Sequence, residues 1–281
     1  AKFREEFPKR TLDVGISESH GVAMAAGMAK AGLKPVVAIY STFMQRAFDQ
    51  VFHECALQEL PVVFCMDRAG LVGSDGAVHH GFTDIATMRV MPGVTVCAPA
   101  DVAELSAAMD FALAHNGPVA IRYPRDEARL VLEGDCPPFV PGQSRVVREG
   151  SDATLFCYGT MVETGLEAAH ILDAKHNLDV AVINARFAKP LDRDELSRRL
   201  QTAAPLVTLE DHSVIGGFGS AVLEAASDLH LPSSNITRLG ITDVFIEHAS
   251  RDQQLCQVGL DVDSVVQTVL DRTAATTGSN E

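Results

Sequence analysis

Short β-branched runs alternate with helically spaced apolar stretches along nearly the whole chain, and this alternation limits the fold more than any other feature. Residues 11–16, 35–39, 62–66, 94–98 and 119–123 read as strands. Between them 19–31, 42–58 and 101–115 read as helices, with Asp101 as an N-cap, and a Gly-rich loop occupies 69–81. Strand, helix and strand in succession predict a mostly parallel sheet with helices on both faces.

The pattern begins again after residue 150. Strands are expected at 153–158, 180–184, 206–210 and 236–240, and helices at 162–175, 193–202, 220–229 and 262–272. Between the two stretches, 133–150 has no clear periodicity and concentrates four Pro or Gly in 137–142, so it reads as a linker. The chain has 281 residues, 47% of them hydrophobic, enough for two cores. The expected fold class is α/β: two domains, 1–132 and 151–274, with mostly parallel sheets flanked by helices, and a flexible tail at 275–281.

Charge narrows the partners. With 23 Lys plus Arg against 37 Asp plus Glu the formal charge is −14, a field that repels nucleic acid and anionic membrane. An anionic ligand has to be met by a local cluster of arginines. The six cysteines form no C-x-x-C pair, which favours buried, reduced thiols in a cytosol-like compartment over zinc or a redox couple. No apolar stretch is long enough to span a bilayer, and no signal-peptide pattern opens the chain.

Chemistry-bearing residues gather at the expected strand ends. Asp13-Val-Gly-Ile-Ser-Glu-Ser-His20 places Glu18 where the chain enters a helix of small residues, the usual position of a ligand-facing group in an open α/β sheet. On propensity alone, such a Glu is a capping residue or a partner of the helix dipole. Tyr40, Phe43 and Arg46 follow the second strand. Arg68, Asp75 and His79 come from the loop after the third, and Ile121-Arg-Tyr-Pro-Arg125 adds two arginines beyond another. In isolation, Phe43 reads as a core aromatic, each Arg as a surface or salt-bridged residue, and His79 as a solvated loop histidine.

These runs resemble the 1-deoxy-D-xylulose-5-phosphate synthase family of the transketolase superfamily, across essentially the whole chain. The matches are Asp-Val-Gly-Ile-x-Glu-x-His, Tyr-Ser-Thr-Phe-x-Gln-Arg-Ala-Phe-Asp-Gln, Asp-Arg-Ala-Gly-x-Val-Gly-x-Asp-Gly and Arg-Tyr-Pro-Arg, in that order. Outside the first domain the resemblance is softer and rests on Arg186-Phe-Ala-Lys-Pro-Leu-Asp192, Glu210-Asp-His212 and Gly216-Gly-Phe-Gly219.

The resemblance implies a pyrimidine-binding domain followed by a transketolase C-terminal domain, and dependence on thiamine diphosphate. It implies that Glu18 hydrogen-bonds N1′ of the aminopyrimidine and so promotes deprotonation of the thiazolium C2, that Phe43 stacks on the pyrimidine, and that Arg46 lies beside the cofactor. The implied reaction joins pyruvate to D-glyceraldehyde 3-phosphate, releasing CO2 and 1-deoxy-D-xylulose 5-phosphate. That is the first step of the methylerythritol phosphate route to isoprenoids, and it also feeds thiamine and pyridoxal synthesis. Arg68 and Arg125 match arginines that grip the aldehyde's phosphate, a task suited to guanidinium geometry. Tyr40, Asp75 and His79 match residues lining the substrate cavity, His79 also as a catalytic proton shuttle.

One part of the family pattern is absent. The Gly-Asp-Gly motif and downstream Asn that hold Mg²⁺ on the diphosphate are not in this chain, and Ser74-Asp-Gly76 lies in the substrate loop without that Asn. The resemblance therefore implies no metal ligand here, a first domain lacking its opening elements, and inactivity without an N-terminal diphosphate-binding domain. It further implies a homodimer in a bacterial cytosol or a plastid stroma. Gly216-Gly-Phe-Gly219 reads as a tight strand-to-helix turn rather than a phosphate loop. Rival readings are a split transketolase, the β subunit of a 2-oxo acid dehydrogenase, and a non-catalytic dimerisation module.

Overall fold

The computed structural model describes residues 2–127 and 129–278. In chain order the strands are β1 (Val36–Tyr40), β2 (Val63–Asp67), β3 (Thr95–Cys97), β4 (Val119–Arg122), β5 (Arg145–Arg148), β6 (Ala153–Cys157), β7 (Val180–Asn184), β8 (Phe187–Lys189), β9 (Leu206–Ser213) and β10 (Ile236–Ile241). They form two five-stranded sheets, ordered β1-β2-β4-β3-β8 and β10-β9-β6-β7-β5. Each is parallel except for one antiparallel edge strand, β8 in the first and β5 in the second. Central strands such as β6 and β7 are mostly apolar and buried along their length, as strands covered on both faces must be.

The two halves share more than a border. Strand β8 follows β7 of the second sheet, yet pairs with β3 of the first. The largest apolar cluster joins Phe64, Met66 and Ile85 to Phe156, Tyr158 and Phe218, so the core continues across the seam. Buried charge is paired there: Arg122 Nε reaches both Asp84 oxygens at 3.0 and 3.2 Å, and Arg186 Nη2 meets Glu104 Oε1 at 2.8 Å. Asn184 Nδ2 donates to the other Glu104 oxygen at 2.7 Å. Removing one member of such a pair strands a buried charge at a cost of about 3–5 kcal/mol.

Several sequence expectations are corrected. Residues 11–16 form no strand, because Asp13 Oδ1 takes the Gly15 amide at 3.0 Å in a local turn, with Gly15 at φ +62°. The single helix expected at 42–58 is instead Ser41–Met44, a 3₁₀ turn Gln45–Ala47, Phe48–Gln50 and a π turn Val51–Ala56. Gln45 Nε2 bonds the Thr42 carbonyl at 2.8 Å, an acceptor that a regular helix would give to the residue 46 amide. The stretch 133–150 contains β5, an edge strand recruited by pairing with β7. Helices Asp84–Arg89 and Arg251–Gln257 were not anticipated, and the closing helix runs through Gly278. Of the tail expected to be flexible, 279–281 lie outside the described residues.

Candidate active site

Strands β1, β2 and β4 lie side by side, parallel, with Tyr40 opposite Asp67 and Met66 opposite Arg122. Their carboxyl ends therefore open on one rim, the place where open α/β sheets bind ligands. Tyr40 ends β1, Arg68 follows β2, and Tyr123-Pro-Arg125 follows β4. Arg68 takes a left-handed φ of +61°, which turns the chain sharply out of the strand.

The eight residues nominated from sequence lie in one continuous line of contacts. Glu18, the first residue of the helix Glu18–Lys30, accepts from Arg46 Nη1 at 2.9 Å. The Arg46 guanidinium lies 4.7 Å from the centroid of Phe43, which stacks with Tyr40 at 5.6 Å. Arg68 lies 3.7 Å over the Tyr40 ring and pairs with Asp67. On the other side His79 meets Phe43 edge-on at 5.5 Å, and His79 Nδ1 is 3.1 Å from the Asp75 carbonyl. The Asp75 carboxylate accepts from Arg125 Nη1 at 2.6 Å, closing the line.

Both arginines assigned to phosphate are thus held by carboxylates, Arg68 by Asp67 and Arg125 by Asp75. Any anion bound at either guanidinium would have to compete with these oxygens or share the group with them. The Arg68 Nε is buried and has no hydrogen-bond partner among the described residues. Arg122 plays a different part: its side chain is buried against Asp84, and its Nη2 donates to the Asp211 carbonyl at 2.9 Å. His20 is exposed, and His80 is buried, taking the Val72 amide at 3.1 Å and contacting the Ile246 carbonyl at 3.0 Å.

The donor set fits one half of a thiamine diphosphate site. An aminopyrimidine needs a carboxyl partner and an aromatic wall, and Glu18 and Phe43 supply these within one contact line. The Glu18 side chain is only 12% exposed, and its Oε1 is the atom that takes Arg46. Tyr40 and Arg46 already lie against Phe43, so a pyrimidine stacking there shares the ring with them. No group of three His, Cys, Asp or Glu among the described residues converges on a metal-sized site.

Sequence reading missed the residues that hold the 69–81 loop from the second domain, chiefly Asp211, Arg251 and Gln254. For Arg251 and Gln254 a signal was present: Ser250 and Gln253 form a capping box that starts their helix. The turn at Gly216-Gly-Phe-Gly219 is filled by the protein itself. Glu210 accepts the Phe218 and Gly219 amides at 2.5 and 2.8 Å, taking the helix N-terminus that a phosphate loop would offer to a ligand.

Residues 1–131 match the transketolase pyrimidine binding domain, and 142–265 the transketolase C-terminal domain. A split gene transketolase, solved as an inactive β4 tetramer, superposes with a TM-score of 0.88 at 33% identity, covering 98% of this chain and 88% of that one. A transketolase variant from Pichia stipitis shares the fold at a TM-score of 0.74 and 18% identity, covering 92% of this chain and 37% of that one. The chain belongs to the transketolase family, whose members depend on thiamine diphosphate.

Within that family the sequence points to one branch. The 1-deoxy-D-xylulose-5-phosphate synthase of Gloeobacter violaceus is 48% identical over 273 residues, and that of Pelotomaculum thermopropionicum 46% over 274. These alignments cover 95% and 97% of this chain but only 42% and 43% of the relatives, so the chain spans less than half their length. Its two domains fit the C-terminal portion of a 1-deoxy-D-xylulose-5-phosphate synthase.

Proposed function

We propose that this chain forms the pyrimidine-binding and acceptor-binding half of an enzyme that joins pyruvate to D-glyceraldehyde 3-phosphate, releasing CO2 and 1-deoxy-D-xylulose 5-phosphate. The observation that carries the reading is the unbroken contact line from Glu18 through Phe43 to Arg68 on one side and Arg125 on the other. Thiamine diphosphate, when bound, supplies the thiazolium carbon at which pyruvate loses CO2 and from which the two-carbon remainder joins the aldehyde.

Each chain residue has a distinct task. Glu18 holds N1′ of the aminopyrimidine and shares its proton, while Arg46 fixes the carboxylate's orientation. Phe43 and Tyr40 wall the site and exclude water. His79 stands between that wall and Asp75, placed to exchange a proton with the substrate oxygens. Arg68 and Arg125 bind the phosphate of the aldehyde. Mg²⁺ and the diphosphate belong to an N-terminal domain, without which these two domains are inactive. The complete enzyme works as a homodimer in a bacterial cytosol or plastid stroma, at the first step toward isoprenoids.

Identity favours this reaction over that of a split transketolase, at 44–48% to the synthases and 33% to the split-gene structure. The test is the complete enzyme assayed with pyruvate plus D-glyceraldehyde 3-phosphate. The expected product is 1-deoxy-D-xylulose 5-phosphate with equimolar CO2. Transfer of a two-carbon unit from a ketose phosphate, with no product from pyruvate, would sink the proposal and favour the transketolase reading.

A further inference from the structure

The turn 71–73, between Arg68 and Asp75, is held by side chains at nearly every polar backbone group. The Leu71 amide donates to Asp211 Oδ1 at 3.0 Å, and the Leu71 carbonyl accepts from Arg251 Nε at 3.2 Å. The Gly73 amide donates to Gln254 Oε1 at 2.8 Å, and the Gly73 carbonyl accepts from Gln254 Nε2 at 3.0 Å. Between them the Val72 amide donates to His80 within the loop. Every one of these partners except His80 belongs to the second domain.

The holding groups are themselves fixed. Arg251 Nη2 donates to Asp211 Oδ2 at 2.7 Å, and Gln254 Nε2 also donates to the Glu247 carbonyl at 2.8 Å. Gln254 is fully buried, and both ends of its carboxamide are used. Arg251 and Gln254 are three residues apart and so share a face of the helix Arg251–Gln257. The approach is close on both flanks of the turn: a Cβ on Gly70 would lie 2.2 Å from Asp211 Oδ2, and one on Gly76 would lie 2.3 Å from His248 Nε2.

What this grip controls is the next turn of chain. Gly73 begins the 3₁₀ turn Gly73–Asp75, whose last residue holds Arg125 with its carboxylate and His79 with its carbonyl. We infer that Gln254, aided by Arg251 and Asp211, is a positioning residue for the acceptor pocket: the second domain sets where Asp75, and through it Arg125 and His79, stand. The inference rests on the proposed function for the identity of the acceptor, and extends it by giving the second domain a part in substrate affinity.

The test uses the complete, thiamine-diphosphate-loaded enzyme with Gln254→Met, which keeps length but bonds to neither Gly73 group, and Gln254→Glu, which keeps only the acceptor. Losing these hydrogen bonds is expected to speed amide exchange across 70–79 about tenfold or more while amides of 63–67 stay protected. The KM for D-glyceraldehyde 3-phosphate is expected to rise about tenfold, that for pyruvate to stay within about twofold, and the Glu variant to fall between. Faster exchange with an unchanged aldehyde KM would overturn the inference. So would a matched loss of kcat and of both affinities, which marks a merely structural residue. Arg251→Lys, which keeps a cation for Asp211 but cannot bridge to Leu71, carries the same readouts if the Met variant does not fold. Should the wild type make no product from these substrates, the proposed reaction fails, while amide exchange still judges the anchor.

Discussion

At the residue scale, a carboxylate at a helix start and an arginine 28 positions later become one unit, Glu18 with Arg46 at 2.9 Å. Arg46 is about half exposed, so the pair adds at most about 1 kcal/mol to stability. In the complete enzyme Glu18→Ala is therefore expected to fold normally but to lose turnover by roughly 10²–10⁴-fold, the range of general acid–base groups. A denaturation midpoint close to wild type with kcat retained would remove Glu18 from the chemistry. On the proposed function, Arg125→Ala deletes one charge-assisted bond to phosphate, worth about 1.5–3 kcal/mol, so the KM for the phosphorylated aldehyde should rise about 10–100-fold. An unphosphorylated aldehyde should show little change, and equal losses for both acceptors would argue against a phosphate contact. The motif order named these residues and, through the resemblance, chose Arg125 over Arg122, but the residues alone gave no physical reason for the choice. That distinction comes from Asp84, 38 residues upstream, which sequesters Arg122 in the core.

At the element scale, the strands were legible because buried parallel strands carry continuous apolar runs, and β7 falls on the residues expected from sequence. The edge strands β5 and β8 were not, since each is short and owes its existence to a partner distant in sequence. The loop 69–81 was visible as Gly-rich, but the reason for its glycines was not. Gly70 has φ +77°, and its missing side chain leaves the space that Asp211 fills. Gly70→Ala is expected to cost about 2–4 kcal/mol from the strained backbone and the clash with buried Asp211 together. Chemical denaturation measures the cost, and a loss under about 0.5 kcal/mol would mean that the loop backs away from the second domain freely.

At the scale of the whole molecule, the seam joins a histidine and a glutamate whose titrations pull stability in opposite directions. His212 accepts the Ile85 amide on Nε2 at 3.1 Å, so its proton sits on Nδ1, 2.7 Å from the Ser213 carbonyl. Burial, opposed by Asp84, pushes its pKa from 6.5 down to about 4. A folded pKa below the unfolded one gives stability that is complete above pH 6.5 and lost as pH falls through about 4. Glu210 does the reverse: burial outweighs its bonds to the Phe218 and Gly219 amides and pushes its pKa from 4.5 up to about 7. Its share is complete below pH 4.5 and lost as pH rises through about 7. The two shifts have opposite signs, so between pH 4.5 and 6.5 their contributions oppose one another. Single variants expose the opposing slopes. Relative to wild type, His212→Asn should lose stability as pH rises from about 4 to 6.5, because the slope His212 supplies is removed. Relative to wild type, Glu210→Gln should gain stability as pH rises from 4.5 to about 7, because the opposing slope of Glu210 is removed. Urea denaturation of each variant at half-unit pH steps resolves this, and parallel profiles for both would show that neither group is held in the protonation state its burial demands.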